Sequence, residues 1–160
     1  MGKEIERKYR VDKARLGPLH GGTEMTQAYI STGDNAVVRV RQAGDKAWLT
    51  LKGRNEGPVR SEFEYEIPPA DARQMIDEFC GGRVIAKTRY LREYQGYVWE
   101  IDVFAGQNAG LIVAEVELSS PQDNPPLPPW IEEEVTSDSR YFNNSLYTYP
   151  FCEWGGTGGD

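Results

Sequence analysis

The chain predicts a mainly β fold of the α+β class, with about eight mostly antiparallel strands and a few helices. Three observations carry this. Apolar and polar residues alternate with period two through eight segments, the spacing that puts successive side chains on opposite faces of a strand. The links between several of these segments are short and turn-like. Only one long stretch carries an amphipathic helical pattern, too little to cover a whole open sheet.

The strands fall at 3–11, 26–32, 36–42, 46–53, 59–67, 84–94, 97–105 and 111–119. Thr32-Gly33-Asp34-Asn35, Ala43-Gly44-Asp45 and Gln95-Gly96 supply hairpin turns. The helix covers 70–79, with Pro68-Pro69 at its entry and Gly81-Gly82 at its exit. Residues 121–129 form an extended proline-rich crossing, because proline fixes φ and donates no hydrogen bond. A second helix is expected at 138–146. No internal repeat divides the chain, so residues 1–152 read as one domain and the glycine-rich 153–160 as a flexible tail. Eight strands need their edges covered, and closing the sheet into a barrel is one solution.

Alternation also sorts the charges onto one face. Glu4, Glu6 and Lys8 share a face in the first strand, opposite Ile5 and Tyr9. Later segments align Arg39 with Arg41, Lys52 with Trp48 and Thr50, Glu62 with Glu64 and Glu66, Lys87 with Arg89, Glu100 with Asp102, and Glu115 with Glu117. An open sheet with one solvated face would produce the same alternation. Two features favour a lumen instead. The charges come in like-signed pairs two residues apart, which repel unless opposite charge lies between them. The one long helical stretch is also too small to cover a whole open sheet; closure would turn the charged face inward, where a polar lining is costly unless ligand, metal and water satisfy it.

With 18 basic and 25 acidic residues the net charge is −7, which argues against general nucleic-acid binding. Any anion site must be a local gathering of Lys and Arg, or must use metal ions bridged to carboxylates. Cys80 and Cys152 have no metal-type spacing and read as two reduced thiols. His20 is the only histidine and sits in a loop composition, so histidine triads and His-rich zinc sites have little to draw on. There is no Walker A loop or dinucleotide fingerprint. No long apolar run or signal pattern is present, and the expectation is a cytoplasmic protein with no membrane or nucleic-acid partner.

At this point the sequence resembles the CYTH superfamily, the triphosphate tunnel metalloenzymes. The resemblance rests on Glu4-x-Glu6-x-Lys8, Gln27-Ala28-Tyr29-Ile30, Arg39-Val40-Arg41, Leu49-Thr50-Leu51-Lys52-Gly53 and Arg60-Ser61-Glu62-Phe63-Glu64. It continues through Lys87-Thr88-Arg89-Tyr90, Glu100-Ile101-Asp102-Val103-Phe104, Glu115-Val116-Glu117 and Asp138-Ser139-Arg140-Tyr141-Phe142-Asn143. Each piece alone is a weak signal, but all occur in family order across nearly the whole chain.

The resemblance implies an eight-stranded antiparallel closed barrel whose lumen binds a small-molecule triphosphate with Mg²⁺ or Mn²⁺. It assigns the metal to Glu4, Glu6 and Glu117, with Glu115. Glu62, Glu64, Glu100 and Asp102, with Glu115, become candidates for a second metal, its waters and the surrounding hydrogen bonds. Lys8, Arg39, Arg41, Lys52, Lys87 and Arg89 would neutralise phosphate oxygens, and Arg140 would close one end of the tunnel. Lys52 would touch terminal or bridging oxygens. Arg7, on the opposite face from Lys8, is excluded, while Arg60, Lys46 and Glu66 are expected at the surface. Tyr141 and Asn143 are expected to fix the late helix rather than meet substrate.

Six cationic side chains with one or two metals could meet the roughly four or five negative charges of a triphosphate without a histidine base. The implied reaction is metal-assisted, in-line attack of water on a terminal phosphorus. Inorganic triphosphate is the first substrate expected, with nucleoside triphosphates weaker. A class IV adenylyl cyclase, a thiamine triphosphatase and a non-catalytic polyphosphate- or nucleotide-binding module are the alternatives. A monomer and a homodimer are equally open.

Overall fold

The computed structural model describes residues 3–33, 35–54 and 58–154. Its strands are β1 (Lys3–Val11), β2 (Thr23–Thr32), β3 (Val37–Ala43), β4 (Lys46–Lys52), β5 (Val59–Ile67), β6 (Ile85–Tyr94), β7 (Tyr97–Phe104), β8 (Ile112–Glu117) and β9 (Ile131–Glu134). The first eight run β5-β4-β3-β2-β6-β7-β8-β1 and close through a β1–β5 pairing, every ladder being antiparallel. The expected eight-stranded barrel is therefore present.

β9 was not expected. It pairs with Tyr9 and Val11, in the second half of β1, whereas β5 pairs with Lys3, Glu4 and Ile5 in the first half. β1 thus closes the barrel at one end and continues as a ribbon with β9 at the other. The sequence signal was hidden because Ile131-Glu132-Glu133-Glu134 is short and mostly acidic, with no alternation of its own.

Among the described residues four α-helices accompany the barrel: α1 (Lys13–Leu16), α2 (Pro69–Cys80), α3 (Asn143–Thr148) and α4 (Phe151–Trp154). α1 is a single turn begun by Asp12, whose carboxylate accepts from the Ala14 and Arg15 amides at 3.1 and 3.3 Å. α2 starts with proline in its first turn and ends at Gly81, whose φ of 63° is the left-handed conformation that glycine adopts at least cost. The late helix expected at 138–146 divides into a 3₁₀ turn at Ser139–Tyr141 and α3, because Phe142 is extended between them. Glu153 and Trp154, expected in the tail, are helical in α4, and Trp154 is buried at the edge of the core. Residues 155–160, the rest of the expected tail, lie outside the described residues, as do turn residue Asp34 and residues 1 and 2 of the expected domain.

With the charged face turned inward, the apolar face must be covered from outside, and two clusters do this. α2, α3 and α4 lie over one, which includes Ala28, Val40, Ala47, Ile76, Tyr141 and Leu146. α1 and the 118–130 crossing cover the other, built on Tyr9, Leu16, Trp99, Ile101, Val116 and Trp130. The outer face of β4 and β5 keeps Leu51, Phe63 and Tyr65 exposed. Among the described residues no helix is long and apolar enough to cross a membrane. Both cysteines are free, Cys80 half-buried and Cys152 exposed.

Trp99 is the centre of the second cluster. It is 0% exposed, and its ring centroid lies 5.6 Å from that of Tyr9 and 6.0 Å from that of Trp130. Trp99→Ala should lower the free energy of unfolding by about 3–5 kcal/mol. Urea denaturation followed by far-UV circular dichroism measures this, and a loss below about 1 kcal/mol would mean that the cluster collapses to fill the gap.

Candidate active site

The lumen is a cavity of about 530 Å³ to which all eight barrel strands contribute side chains. Twelve of the residues expected at the site line it: Glu4, Glu6, Lys8, Arg39, Arg41, Lys52, Glu62, Glu64, Arg89, Glu100, Glu115 and Glu117. Lys87 and Asp102 sit behind this wall as a buried ion pair, 2.8 Å apart, on adjacent strands β6 and β7. Arg140 is not brought to the lumen. Its side chain is half exposed, bonds Asp138 at 2.8 Å and lies over the Trp154 ring, because the extended Phe142 separates its 3₁₀ turn from α3.

Three residues that sequence reasoning set aside or passed over also line the cavity. Arg60, expected at the surface, faces the lumen opposite Glu4 across β5–β1, its Nε donating to the Gly53 carbonyl at 2.9 Å. The period-two pattern could have placed it, since Arg60, Glu62 and Glu64 share a face. Tyr29 belongs to the lining through the same alternation. Asn143 lines the cavity and its Oδ1 accepts from Lys87 Nζ at 3.3 Å, so it does more than fix a helix. No local pattern could have shown that contact. Arg7 points outward to Glu134 and the Pro121 carbonyl, and Glu66, Lys46 and His20 are exposed, as expected.

Antiparallel register explains how the charges coexist. Lys8 stands opposite Glu115, Lys52 opposite Glu62, and Arg89 opposite Asp102. Each pair forms an ion pair, at 3.3, 3.6 and 2.8 Å respectively. Lys52 also reaches Glu4 at 3.1 Å, and Arg89 reaches Glu100 at 3.4 Å. Arg39, Thr50 and Glu64 lie in one cross-strand row. There the Thr50 hydroxyl donates to Glu64 at 2.8 Å and accepts from Arg39 at 3.2 Å. The late segment joins the wall at Lys8, whose Nζ donates to the Tyr141 carbonyl at 3.0 Å.

The compensation is incomplete in two places. Among the described residues, Arg39 Nε is buried without an acceptor, and no carboxylate lies within ion-pair distance of Arg41 or Arg60. Burial, with Arg39 and Arg89 nearby, pushes the Arg41 guanidinium down to about 10. Arg39 keeps its charge paired with Glu64, so Arg41 and Arg60 are the lumen cations without a carboxylate partner among the described residues. On the other side, Glu6 faces Glu117 across β1–β8, and neither has an ion-pair partner among the described residues. Burial, then Glu115 and Glu4, hold the Glu6 carboxyl well above its usual range despite Lys52 and Lys8. Burial also raises Glu100 and Glu62.

By contrast, Asp102 and Glu115 are held low, their buried carboxyls outweighed by Lys87 and Arg89 in one case and Lys8 and Arg89 in the other. Lys87 is pushed down to about 7 by burial, against the pull of Asp102.

The donor set suits a hard divalent cation. Glu6, Glu117 and the nearby Glu4 and Glu115 offer only carboxylate oxygens, the ligand class of Mg²⁺ and Mn²⁺. Burial and the neighbouring carboxylates raise the Glu6 carboxyl more than Lys52 and Lys8 lower it, an imbalance that a bound cation would relieve. Among the described residues no three acidic, His or Cys side chains already converge on one point, since Lys52 holds Glu4 and Lys8 holds Glu115.

A closed barrel with a lumen lined by opposed cations and carboxylates defines a protein that binds a compact, highly charged anion. The CYTH domain matches residues 2–147, and the chain belongs to that family. It is 42% identical to an inorganic triphosphatase of Acetivibrio thermocellus, over 94% of this chain and 97% of the relative. A second inorganic triphosphatase, from Nitrosomonas europaea, is 37% identical over 89% of this chain and 95% of its own. The crystal structure of an inorganic triphosphatase superposes with a TM-score of 0.63 at 37% identity, covering 90% of this chain and 97% of that one.

The Glu6 shift has a consequence for stability. Its folded value lies above the unfolded value of about 4.3, so the folded chain holds a proton that the unfolded chain releases. Stability must then fall as pH rises from about 4 through the raised folded value. In EDTA, the Tm of the unsubstituted protein should drop relative to that of Glu6→Gln as pH rises from about 4 through the raised folded value. Parallel Tm curves for the two proteins would show that Glu6 does not titrate in that window.

Proposed function

We propose that the protein hydrolyses inorganic triphosphate to pyrophosphate and phosphate inside the barrel. The observation that carries this reading is the lumen itself. A cavity of about 530 Å³ gathers Lys8, Arg39, Arg41, Lys52, Arg60 and Arg89 around one space, with Glu6 and Glu117 facing each other across β1–β8 beside Lys8. The size fits a small ligand and the lining is too polar for an apolar one. The 42% and 37% identical relatives, both inorganic triphosphatases, support the same substrate.

Phosphoryl transfer asks a protein mainly for positioning and charge stabilisation. The cations arrive from β1, β3, β4, β5 and β6, so they surround a chain of phosphates rather than cap one end. Their ion pairs hold them in place before a ligand enters, which lowers the reorganisation that binding requires. Arg39 and Arg41, both lining the lumen, are assigned to non-bridging oxygens, Arg41 with a charge that no carboxylate meets among the described residues. Lys52, held between Glu4 and Glu62, is assigned to the terminal or bridging oxygens. Water oxygen bonds to the terminal phosphorus as the bridging P–O bond breaks, the electron pair leaves with pyrophosphate, and the protons of the attacking water pass to product oxygens or bulk water. Mg²⁺ or Mn²⁺ at Glu4, Glu6 and Glu117, with Glu115, would supply further charge neutralisation and water activation. Lys87 and Asp102 act from behind the wall, Asp102 by fixing Arg89 through two hydrogen bonds at 2.8 and 2.9 Å.

The experiment offers purified protein triphosphate, ATP and thiamine triphosphate with Mg²⁺ or Mn²⁺, and reads phosphate and cyclic AMP. Triphosphate should give the highest kcat/KM, and EDTA should abolish turnover. Cyclic AMP as the main product from ATP would replace this reading with a cyclase, and binding without turnover would replace it with a binding module. Lys52→Ala should lower kcat/KM about 10²–10³-fold, the range seen when one stabilising donor is removed. Arg140→Ala should change it less than about twofold, because surface ion pairs contribute little. A loss at Arg140 comparable to that at Lys52 would place Arg140 in the lumen after all.

A further inference from the structure

We infer that Gln27 is a positioning residue that aims the Arg41 guanidinium into the lumen while leaving its charge free for the substrate. Gln27 lies opposite Arg41 across β2–β3, on the lumen side of the sheet, yet it is 0% exposed and does not line the cavity. It can affect a ligand only through its neighbours. Its Oε1 accepts from Arg41 Nε at 3.0 Å, and its Nε2 donates to the Tyr29 hydroxyl oxygen at 2.9 Å. The orientation of the amide follows from chemistry, because a guanidinium can only donate. Arg41 must therefore meet the carbonyl oxygen of Gln27, which turns the NH₂ group to Tyr29.

The choice of an amide is what matters. Of the other cations lining the cavity, Lys8, Lys52, Arg39 and Arg89 are each held by a carboxylate, and Arg60 by the Gly53 carbonyl. Arg41 is held by a neutral group of similar reach, and no carboxylate lies within ion-pair distance among the described residues. A carboxylate at position 27 could accept the same hydrogen bond, but it would cancel the charge. Glutamine fixes the side chain through Nε and leaves the terminal nitrogens unneutralised. Complete burial makes this rigid, since a buried amide with both ends bonded has no low-energy alternative position.

This inference rests on the triphosphate reading, so the test separates the two. Tripolyphosphate binding in EDTA, by calorimetry, is measured beside steady-state hydrolysis with Mg²⁺. Gln27→Leu should raise KM and the calorimetric Kd for tripolyphosphate about tenfold, the usual scale for a hydrogen bond to a charged group, with kcat changed less than about twofold. In an Arg41→Ala background the same substitution should have no further effect, because Gln27 acts through Arg41. Gln27→Glu should weaken binding at least as much as Gln27→Leu, although it keeps size and acceptor. It also stands in should Gln27→Leu not fold. Equal losses in the presence and absence of Arg41, or Gln27→Glu binding as tightly as the unsubstituted protein, would overturn the inference. A protein that binds tripolyphosphate with these differences but does not hydrolyse it would overturn the proposed reaction and leave the Gln27 role standing.

Discussion

Taking a carboxylate or guanidinium out of water costs several kcal/mol unless an opposite charge or a ligand replaces the lost hydration. This barrel turns its charged face inward, so the whole architecture depends on meeting that cost strand by strand. Antiparallel pairing is the means. It sets residues directly opposite one another, with Cβ atoms about 4.5–5.5 Å apart, close enough for one long side chain to reach the next strand. Register then determines partners: Lys8 meets Glu115, Lys52 meets Glu62, and Arg89 meets Asp102. A slip of one residue would send each of these charges to the apolar outer face and bring Tyr9, Leu51 and Tyr90 inward. The lumen and the outer core therefore enforce the same register from opposite sides.

That coupling also explains the traffic around the outside of the barrel. A sheet with a polar interior must find its apolar core elsewhere, and the chain supplies it with separate covers. α2 takes the face of β2, β3 and β4, whereas α1 and the proline-rich crossing take the face around Trp99. The late segment serves both functions. Tyr141 and Leu146 join the outer core, while the Tyr141 carbonyl and the Asn143 side chain bond Lys8 and Lys87. Packing outside and polar satisfaction inside are thus linked through a few residues between 141 and 146.

Much of this was legible in the sequence, because a strand writes its two faces in alternate letters. Eight strands, the charged face and twelve of the lining residues follow from that period. What escaped had no periodic signature. β9 is four residues long and owes its conformation to pairing with β1. α1 is one turn held by the Asp12 cap. Arg140 lies in the right motif, but the extended φ and ψ of Phe142 separate its turn from the helix, a break that no residue pattern announces. Arg60 is the opposite case: it shares the alternating face of Glu62 and Glu64, but its position near a strand end gave a misleading expectation of exposure.

Gln27 shows why a lumen cannot be read from its charges alone. It is uncharged, it lies out of reach of any ligand, and in the alternating pattern it is simply a polar residue beside a tyrosine. Its significance appears only once the ion pairs among the described residues are mapped and Arg41, like Arg60, has none, yet is held by a side chain. A lumen in which every cation had a carboxylate partner would be stable and electrostatically self-satisfied, with little left to attract an anion. The useful state lies between full compensation and none: enough ion pairs to hold the side chains in place, and a few positive groups whose remaining demand only a ligand can meet. A neutral amide at one position achieves that without removing a single positive charge.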